Sequence, residues 1–408
     1  MLVPSSIGSV AKKKQEATAR RYIAPSPSLL YTISMSTPRY EYSRQIINDR
    51  INLLTSLDLP YGLTVRYAVK ANPFPEIISM MHKGGVHFDA SSSYEASELL
   101  ALGIPGSHIS LSSQQTPHNL PELLAAKVQF VATSLHQLEI FLNAPNRGNT
   151  VAVRINPDLG MGHNARTSTG GVSASFGIWY EYAAVVLAQT EAAGVTIDRL
   201  HLHIGSGADP KVWGDVMARA LEIVSLFPEV TTLDIGGGYK VHRYGEEKEA
   251  DMTVIATEFK RQLEAFADAT GRKLALEIEP GTYFIAHAGT LVATIDDIVD
   301  TGKNGYTFLK LNTGMNDFLR TTMYGAQHEI EVMNDEEIYE EYVVVGHNCE
   351  SGDIFTTTPG DSESIAPRKL KTAHIGDEVR IYDAGAYCAS MRARGYNSFP
   401  IAPEVMVD

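Results

Sequence analysis

A few residues in this chain could do chemistry, and they recur at the same kind of place. Lys70 follows a short apolar run in YAVKAN (67–72), and His203 and Ser206 close another in HLHIGS (201–206). Three consecutive glycines, Gly236, Gly237 and Gly238, follow the run 231–235, and Glu279 ends 274–279 just before Pro280 and Gly281. Asp89 closes the run 86–89, and Arg154 lies near the end of 151–156. A lysine drawn out of water is a nucleophile toward carbonyl carbon. Bare glycine N–H groups can cradle a phosphate. Each residue alone has a plainer explanation. Lys70 would be an edge residue snorkelling to water, the glycines a tight turn, His203 a satisfied core histidine and Glu279 a loop carboxylate. Their joint placement at successive run ends is what points to a site.

The runs that must position them are short and regularly spaced. Eight of them, at 65–70, 86–89, 109–112, 128–132, 151–156, 200–204, 231–235 and 274–279, read as strands. Amphipathic stretches such as 93–101 and 213–226 lie between them and read as helices. Strands alternating with helices predict parallel βαβ units, and eight strands close a (β/α)8 barrel of the TIM type. Reactive residues in such a barrel sit where strands end and loops begin. After residue 290 the texture changes. The runs 291–298, 306–311, 342–345 and 378–383 are β-like, with turn-rich connections, and predict a C-terminal all-β domain. Its first strand is expected from 29–35, ahead of the barrel. The expected organisation is a flexible N-terminus over 1–27, a strand segment over 28–44 joining the β domain, the barrel over 45–290 and the β domain over 291–408.

Composition narrows the function classes. The 408 residues are 44% hydrophobic, enough for a large core, and carry a formal net charge of −14. That acidity argues against nucleic acid or an anionic membrane as partner. No apolar run approaches the roughly 18 residues a membrane span needs. Two cysteines, Cys349 and Cys388, make no disulfide framework and favour a reducing, cytoplasmic setting. Residues 1–27 are basic, with Lys12, Lys13, Lys14, Arg20 and Arg21 against Glu16, but lack a clear apolar region or cleavage signal.

Six motifs in order along the chain carry a resemblance: YAVKAN (67–72), HIGS (203–206), DIGGG (234–238), EPG (279–281), CESGD (349–353) and DAGAY (383–387). The chain resembles the barrel-type pyridoxal-phosphate (PLP) decarboxylases, from about residue 28 to its end. Within them it is most similar to the diaminopimelate decarboxylases, through CESGD, the stretch 314–320 and the ending YNSFPIAPEVMVD (396–408). The resemblance implies a PLP-dependent carboxy-lyase that converts meso-diaminopimelate to L-lysine and CO2. It implies that Lys70 holds PLP as a Schiff base, that His203 stacks on the pyridine ring, and that Ser206 with the three glycines binds the phosphate. Tyr387 would add a phosphate contact and Glu279 would pair with the ring nitrogen. Asp89, Arg154 and Gly281 fall among the cofactor-binding positions. Arg320, Tyr324, Glu350 and Tyr387 would bind substrate. Cys349 and Glu350 would reach into a neighbouring subunit's site, making the enzyme a homodimer. The chemistry agrees: loss of CO2 leaves an electron pair on Cα, a protonated pyridine accepts it, and a carboxylate beside the nitrogen keeps it protonated. A thiol such as that of Cys349 can return the proton.

One departure stands out. Where the family usually has arginine directly after EPG, this chain has Thr282. Losing a charge-assisted contact to the substrate's distal carboxylate removes roughly 1.5–3 kcal/mol. Arg166, in the unusual stretch 161–178, is one candidate to replace it, with a solvated loop arginine as the plainer reading. A decarboxylase of another amino acid, such as ornithine, lysine or a biosynthetic intermediate, is therefore the alternative. An amino-acid racemase would need a base on each face of Cα, and a catalytically dead homologue would be expected to lose Lys70 or the glycines. Neither suits the residues present.

Overall fold

The computed structural model describes residues 36–160 and 170–408. The chain enters through β1 (Arg39–Ser43), and the Ser43 hydroxyl caps the helix Arg44–Thr55 by accepting from the Ile46 N–H at 3.3 Å. The barrel strands follow: β2 (Leu63–Ala68), β3 (His87–Ala90), β4 (Ile109–Ser112), β5 (Gln129–Ala132) and β6 (Thr150–Asn156). After the two-residue β7 (Ile178–Trp179) come β8 (Thr196–His201), β9 (Thr232–Asp234) and β10 (Ala275–Ile278). All pair in parallel in the order β5-β4-β3-β2-β10-β9-β8-β6, and β5 with β6 closes the ring. The eight-stranded barrel expected from the sequence is therefore present, with β7 hung on β6 outside the ring.

Helices cover the barrel for the reason their patterns suggest. In Met252–Thr270, Met252, Ile255, Ala256, Phe259, Leu263 and Ala267 fall on one helical face and are buried, while the other face is wet. The helix Ser93–Ala101 matches its expected bounds, and the expected 213–226 helix is Pro210–Val224, started by the Asp209 cap. Among the described residues, no helix is long and apolar enough to cross a membrane.

One strand is displaced from its expectation. The run 200–204 was to be a strand, but β8 ends at His201, so His203 and Ser206 lie in the loop beyond it. The reason is Arg199. Its charge interrupts the apolar pattern, yet it is buried inside the barrel against Glu277 at 2.5 Å and against Asp234. Lys70 similarly lies past β2, in the 3-10 turn Val69–Ala71, and Glu279 one residue past β10.

The second sheet comprises β11 (Gly289–Asp300), β12 (Thr307–Leu311), β13 (Ile330–Met333) and β14 (Tyr339–Val345). After the small hairpin of β15 (Thr357–Thr358) and β16 (Asp361–Ile365), the sheet adds β17 (Arg368–Lys371), β18 (Glu378–Ile381) and β19 (Glu404–Val407). Its order is β13-β18-β11-β12-β14-β17, with β1 bridging β11 and β19. The sheet is mixed, since β12–β14 and β1–β19 run parallel. The expected strand at 29–35 lies outside the described residues, and the strand that this end of the described chain contributes is β1.

Candidate active site

A cavity of about 790 Å³ opens at the ends of the barrel strands. From the barrel it is lined by Lys70, Arg154, His203, Ser206, Gly238 and Glu279, and from later segments by Gly281, Arg320, Tyr324 and Tyr387. Ten of the residues expected from sequence therefore share one space. Loop contacts hold the two parts together: the Tyr387 N–H and the Ser390 hydroxyl both donate to the Ala71 carbonyl, at 2.8 and 3.0 Å, and Asn72 Nδ2 donates to the Gly385 carbonyl at 3.1 Å. The end of the lysine turn is thus tied to the segment 385–390.

Lys70 Nζ is 3.1 Å from Asp89 Oδ2 and 3.1 Å from Ser91 Oγ, and Asp89 Oδ1 accepts from Ser112 Oγ at 3.0 Å. Burial pulls the ammonium's pKa down, but Asp89, with Tyr387 and Glu279, outweighs it and the net is upward. Burial would raise Asp89, yet Lys70 and His201 hold it low. Asp89 does not line the cavity; it sits behind Lys70 as a counter-charge. Lys70 is consequently charged until something displaces that ion pair.

At the glycine end the expectation needs adjustment. The Gly236 N–H donates to Asp234 Oδ1 at 2.8 Å, and the Gly237 N–H donates to His203 Nδ1 at 3.1 Å. Those two donors are engaged within the protein, and Gly238 and Ser206 are the members of the set that face the cavity. The glycines remain necessary. Gly236 (φ +70°) and Gly238 (φ +103°) are left-handed, and a Cβ on Gly238 would overlap the Gly205 carbonyl. Because His203 Nδ1 accepts a hydrogen bond and burial drives its pKa well down, the ring is neutral with its proton on Nε2.

Beneath His203 lie His201, Asp234 and Glu279, whose ligand atoms fall within 4.8 Å of one another. Burial lowers His201 to about 4, with Arg154 and Arg199 adding to the effect. Burial, helped by Asp89, raises Glu279. His201 Nε2 lies 3.4 Å from Glu279 Oε2, while Glu279 Oε1 is buried with no hydrogen-bond partner among the described residues. Arg154 Nη2 is likewise buried and unpartnered, with its guanidinium 5.0 Å over the Phe176 ring. An unsatisfied buried acceptor and donor in one cavity are what a polar ligand would complete.

Toward the β domain the cavity meets Thr282, Arg320, Tyr324 and Arg243. Arg243 was not singled out from sequence, since a lone arginine in the loop after the glycines carries no pattern. Its Nε and Nη2, and Arg320 Nε, are buried with no hydrogen-bond partner among the described residues. Burial, then the neighbouring Arg320 charge, lowers Arg243 to about 10. Cys349 and Glu350 do not line this cavity. Both are exposed; the Cys349 N–H donates to Asn397 Oδ1 at 2.7 Å and the Tyr396 hydroxyl lies 3.4 Å from Glu350 Oε2. Arg166 lies outside the described residues.

The comparisons fit this geometry. Residues 44–286 match the model of the pyridoxal-dependent decarboxylase pyridoxal-binding domain. The diaminopimelate decarboxylase of Streptomyces coelicolor is 32% identical over 91% of this chain and 84% of its own, and that of Escherichia coli K12 is 31% identical over 91% and 89%. A crystal structure of a diaminopimelate decarboxylase superposes with a TM-score of 0.83 at 30% identity, covering 91% of this chain and 89% of the other. The Helicobacter pylori enzyme complexed with L-lysine gives 0.80 at 25%, covering 93% and 94%. The chain belongs to the pyridoxal-dependent decarboxylases. Its cofactor is PLP, and the curated relatives quoted above are diaminopimelate decarboxylases.

The residues present fit that cofactor. Lys70 opens to the cavity, Glu279 Oε1 offers an unsatisfied acceptor suited to a protonated ring nitrogen, and the Gly238 turn admits no side chain.

Proposed function

We propose that this protein decarboxylates meso-diaminopimelate at its D-centre, giving L-lysine and CO2. The observation that carries the reading is the junction, in one cavity, of Lys70 and Glu279 with the cationic end formed around Arg320. One end suits an α-amino acid and the other a second carboxylate. Bound PLP supplies the electron sink for the pair left when the Cα–CO2 bond breaks. In this reading Lys70 holds the cofactor, and Glu279 keeps the ring nitrogen protonated by opposite-charge attraction. Neutral His203 would lie against the ring, and Ser206 and Gly238 would hold the phosphate. Arg320 and Tyr324 hold the distal carboxylate.

Cys349 and Glu350 act in the cavity of a second copy, Cys349 giving a proton to Cα and Glu350 holding the distal ammonium. Their exposure in one chain supports this, as does the stapling of their loop, where Asp353 accepts from the N–H groups of Met315 and Asn348 at 2.7 and 2.9 Å. The protein is read as a cytoplasmic homodimer.

Incubating PLP-loaded protein separately with meso-diaminopimelate, L-lysine, L-ornithine and L-arginine tests the substrate. CO2 release from diaminopimelate, with L-lysine formed, is expected; release from a monocarboxylic diamino acid instead would replace this reading with that of a different decarboxylase. Mixing Lys70→Ala with Cys349→Ala tests the shared site. Random exchange should restore about a quarter of wild-type activity, because about half the dimers then carry one intact site of two.

A further inference from the structure

We infer that Arg243 is a substrate-specificity residue, closing with Arg320 a two-guanidinium clasp for a carboxylate remote from the reacting centre. The inference rests on the decarboxylase reading above and deepens it. Arg243 is 7% exposed, lines the cavity, and has two buried donors, Nε and Nη2, with no acceptor. Arg320 lines the same cavity and leaves Nε unsatisfied. Among the described residues no carboxylate forms an ion pair with either. The interior arginines differ: buried Arg66 and Arg199 are paired with acids, whereas Arg154, which lines the same cavity at the Glu279 end, also has no ion pair among the described residues.

The loop that carries Arg243 is itself fixed. Glu247 Oε2 accepts from the Arg243 N–H at 3.0 Å, Glu247 Oε1 lies 3.4 Å from Lys240 Nζ, and Tyr244 stacks under Arg368 at 4.0 Å. The one acid in this loop that also lines the cavity is therefore occupied. Two like charges on the wall of one cavity, with buried donors that no acceptor meets among the described residues, are satisfied by an anion with at least two acceptor oxygens. An ammonium group would be repelled. Thr282, in the same cavity, supplies no charge, so the second cation comes from position 243.

The test compares two diamines on PLP-loaded protein. L-Lysine carries a carboxylate and cadaverine is the same chain without it. Binding of each is followed by the change in the cofactor band near about 420 nm, in wild type, Arg243→Ala and Arg243→Lys. Wild type should prefer L-lysine. Arg243→Ala should weaken L-lysine by about tenfold to a hundredfold and leave cadaverine unchanged, with Arg243→Lys between. The ligand-free band reports that fold and cofactor are intact, and Arg243→Gln carries the comparison if the alanine variant does not fold. Unchanged L-lysine binding overturns the inference, and so does equal weakening of both ligands. CO2 release from meso-diaminopimelate is read separately. If it is absent while the lysine preference depends on Arg243, the proposed substrate falls and the clasp stands.

Discussion

Two pairs of arginines lie in and above this barrel in opposite states. Inside it, Arg66 forks onto Glu277 at 2.8 and 2.9 Å and reaches Gln129 at 2.7 Å, while Arg199 meets Glu277 at 2.5 Å, Ser110 at 2.9 Å and Asp234. At the cavity, Arg243 and Arg320 feel each other's charge, and among the described residues neither forms an ion pair with a carboxylate. Arg243 is about as buried as Arg199, so burial alone does not separate them; compensation does. A buried cation with its acid in place belongs to the scaffold, and removing the acid leaves a stranded charge. A buried cation without one is held in readiness for an anion that arrives later. The barrel can tolerate the second pair because the first, with the apolar core around it, keeps the strand ends in place.

The comparison predicts opposite consequences for the two pairs. Glu277→Gln strands Arg66 and removes one of the two acids on Arg199, and should cost about 3–5 kcal/mol in denaturant unfolding. An effect under about 1 kcal/mol would mean the network is dispensable. Arg320→Met should instead leave the unfolding midpoint unchanged or raise it, since a like-charge repulsion disappears, while KM for diaminopimelate rises by about tenfold or more. A fall in stability matching that of Glu277→Gln would erase the distinction.

His287 tests an intermediate case, a group charged by its partners. Its Nδ1 is 2.5 Å from Asp383 and its Nε2 2.8 Å from Glu249, and these hydrogen bonds raise it to about 9. The folded pKa lies above the ordinary 6.5, so the protonated form is favoured on folding. Its stabilisation is complete below 6.5 and is lost as pH climbs toward 9, on the order of 2 kcal/mol. Unfolding free energies measured across that window should fall in wild type and flatten in His287→Asn. Equal slopes would show that the bridge carries no charge.

Much of this was legible in the sequence, and the reasons differ by element. The barrel could be read because its strands are buried on both faces and appear as apolar runs. β8 was misplaced because Arg199 is polar and yet interior. In the second sheet, β13, β17 and β19 escaped notice: Arg368, Lys369 and Lys371 in β17, or Glu331 in β13, break the apolar signal that a half-exposed strand keeps on one face only. Lys70, His203 and Glu279 were found because they stand at strand ends. Arg243 was not, because what marks it is the absence of a partner, a property of three-dimensional packing with no trace in residue spacing. The engagement of Gly236 and Gly237 by Asp234 and His203 is equally invisible before the fold is known.

Unpaired charge in the cavity is what selects a second carboxylate. Meso-diaminopimelate and D-lysine present the same D-centre and differ by that group alone. Their kcat/KM values on the PLP-loaded enzyme measure the claim directly. A ratio of about 10²–10⁴ in favour of diaminopimelate is predicted, as expected for two charge-assisted guanidinium contacts. D-Lysine turned over as efficiently as diaminopimelate would contradict it.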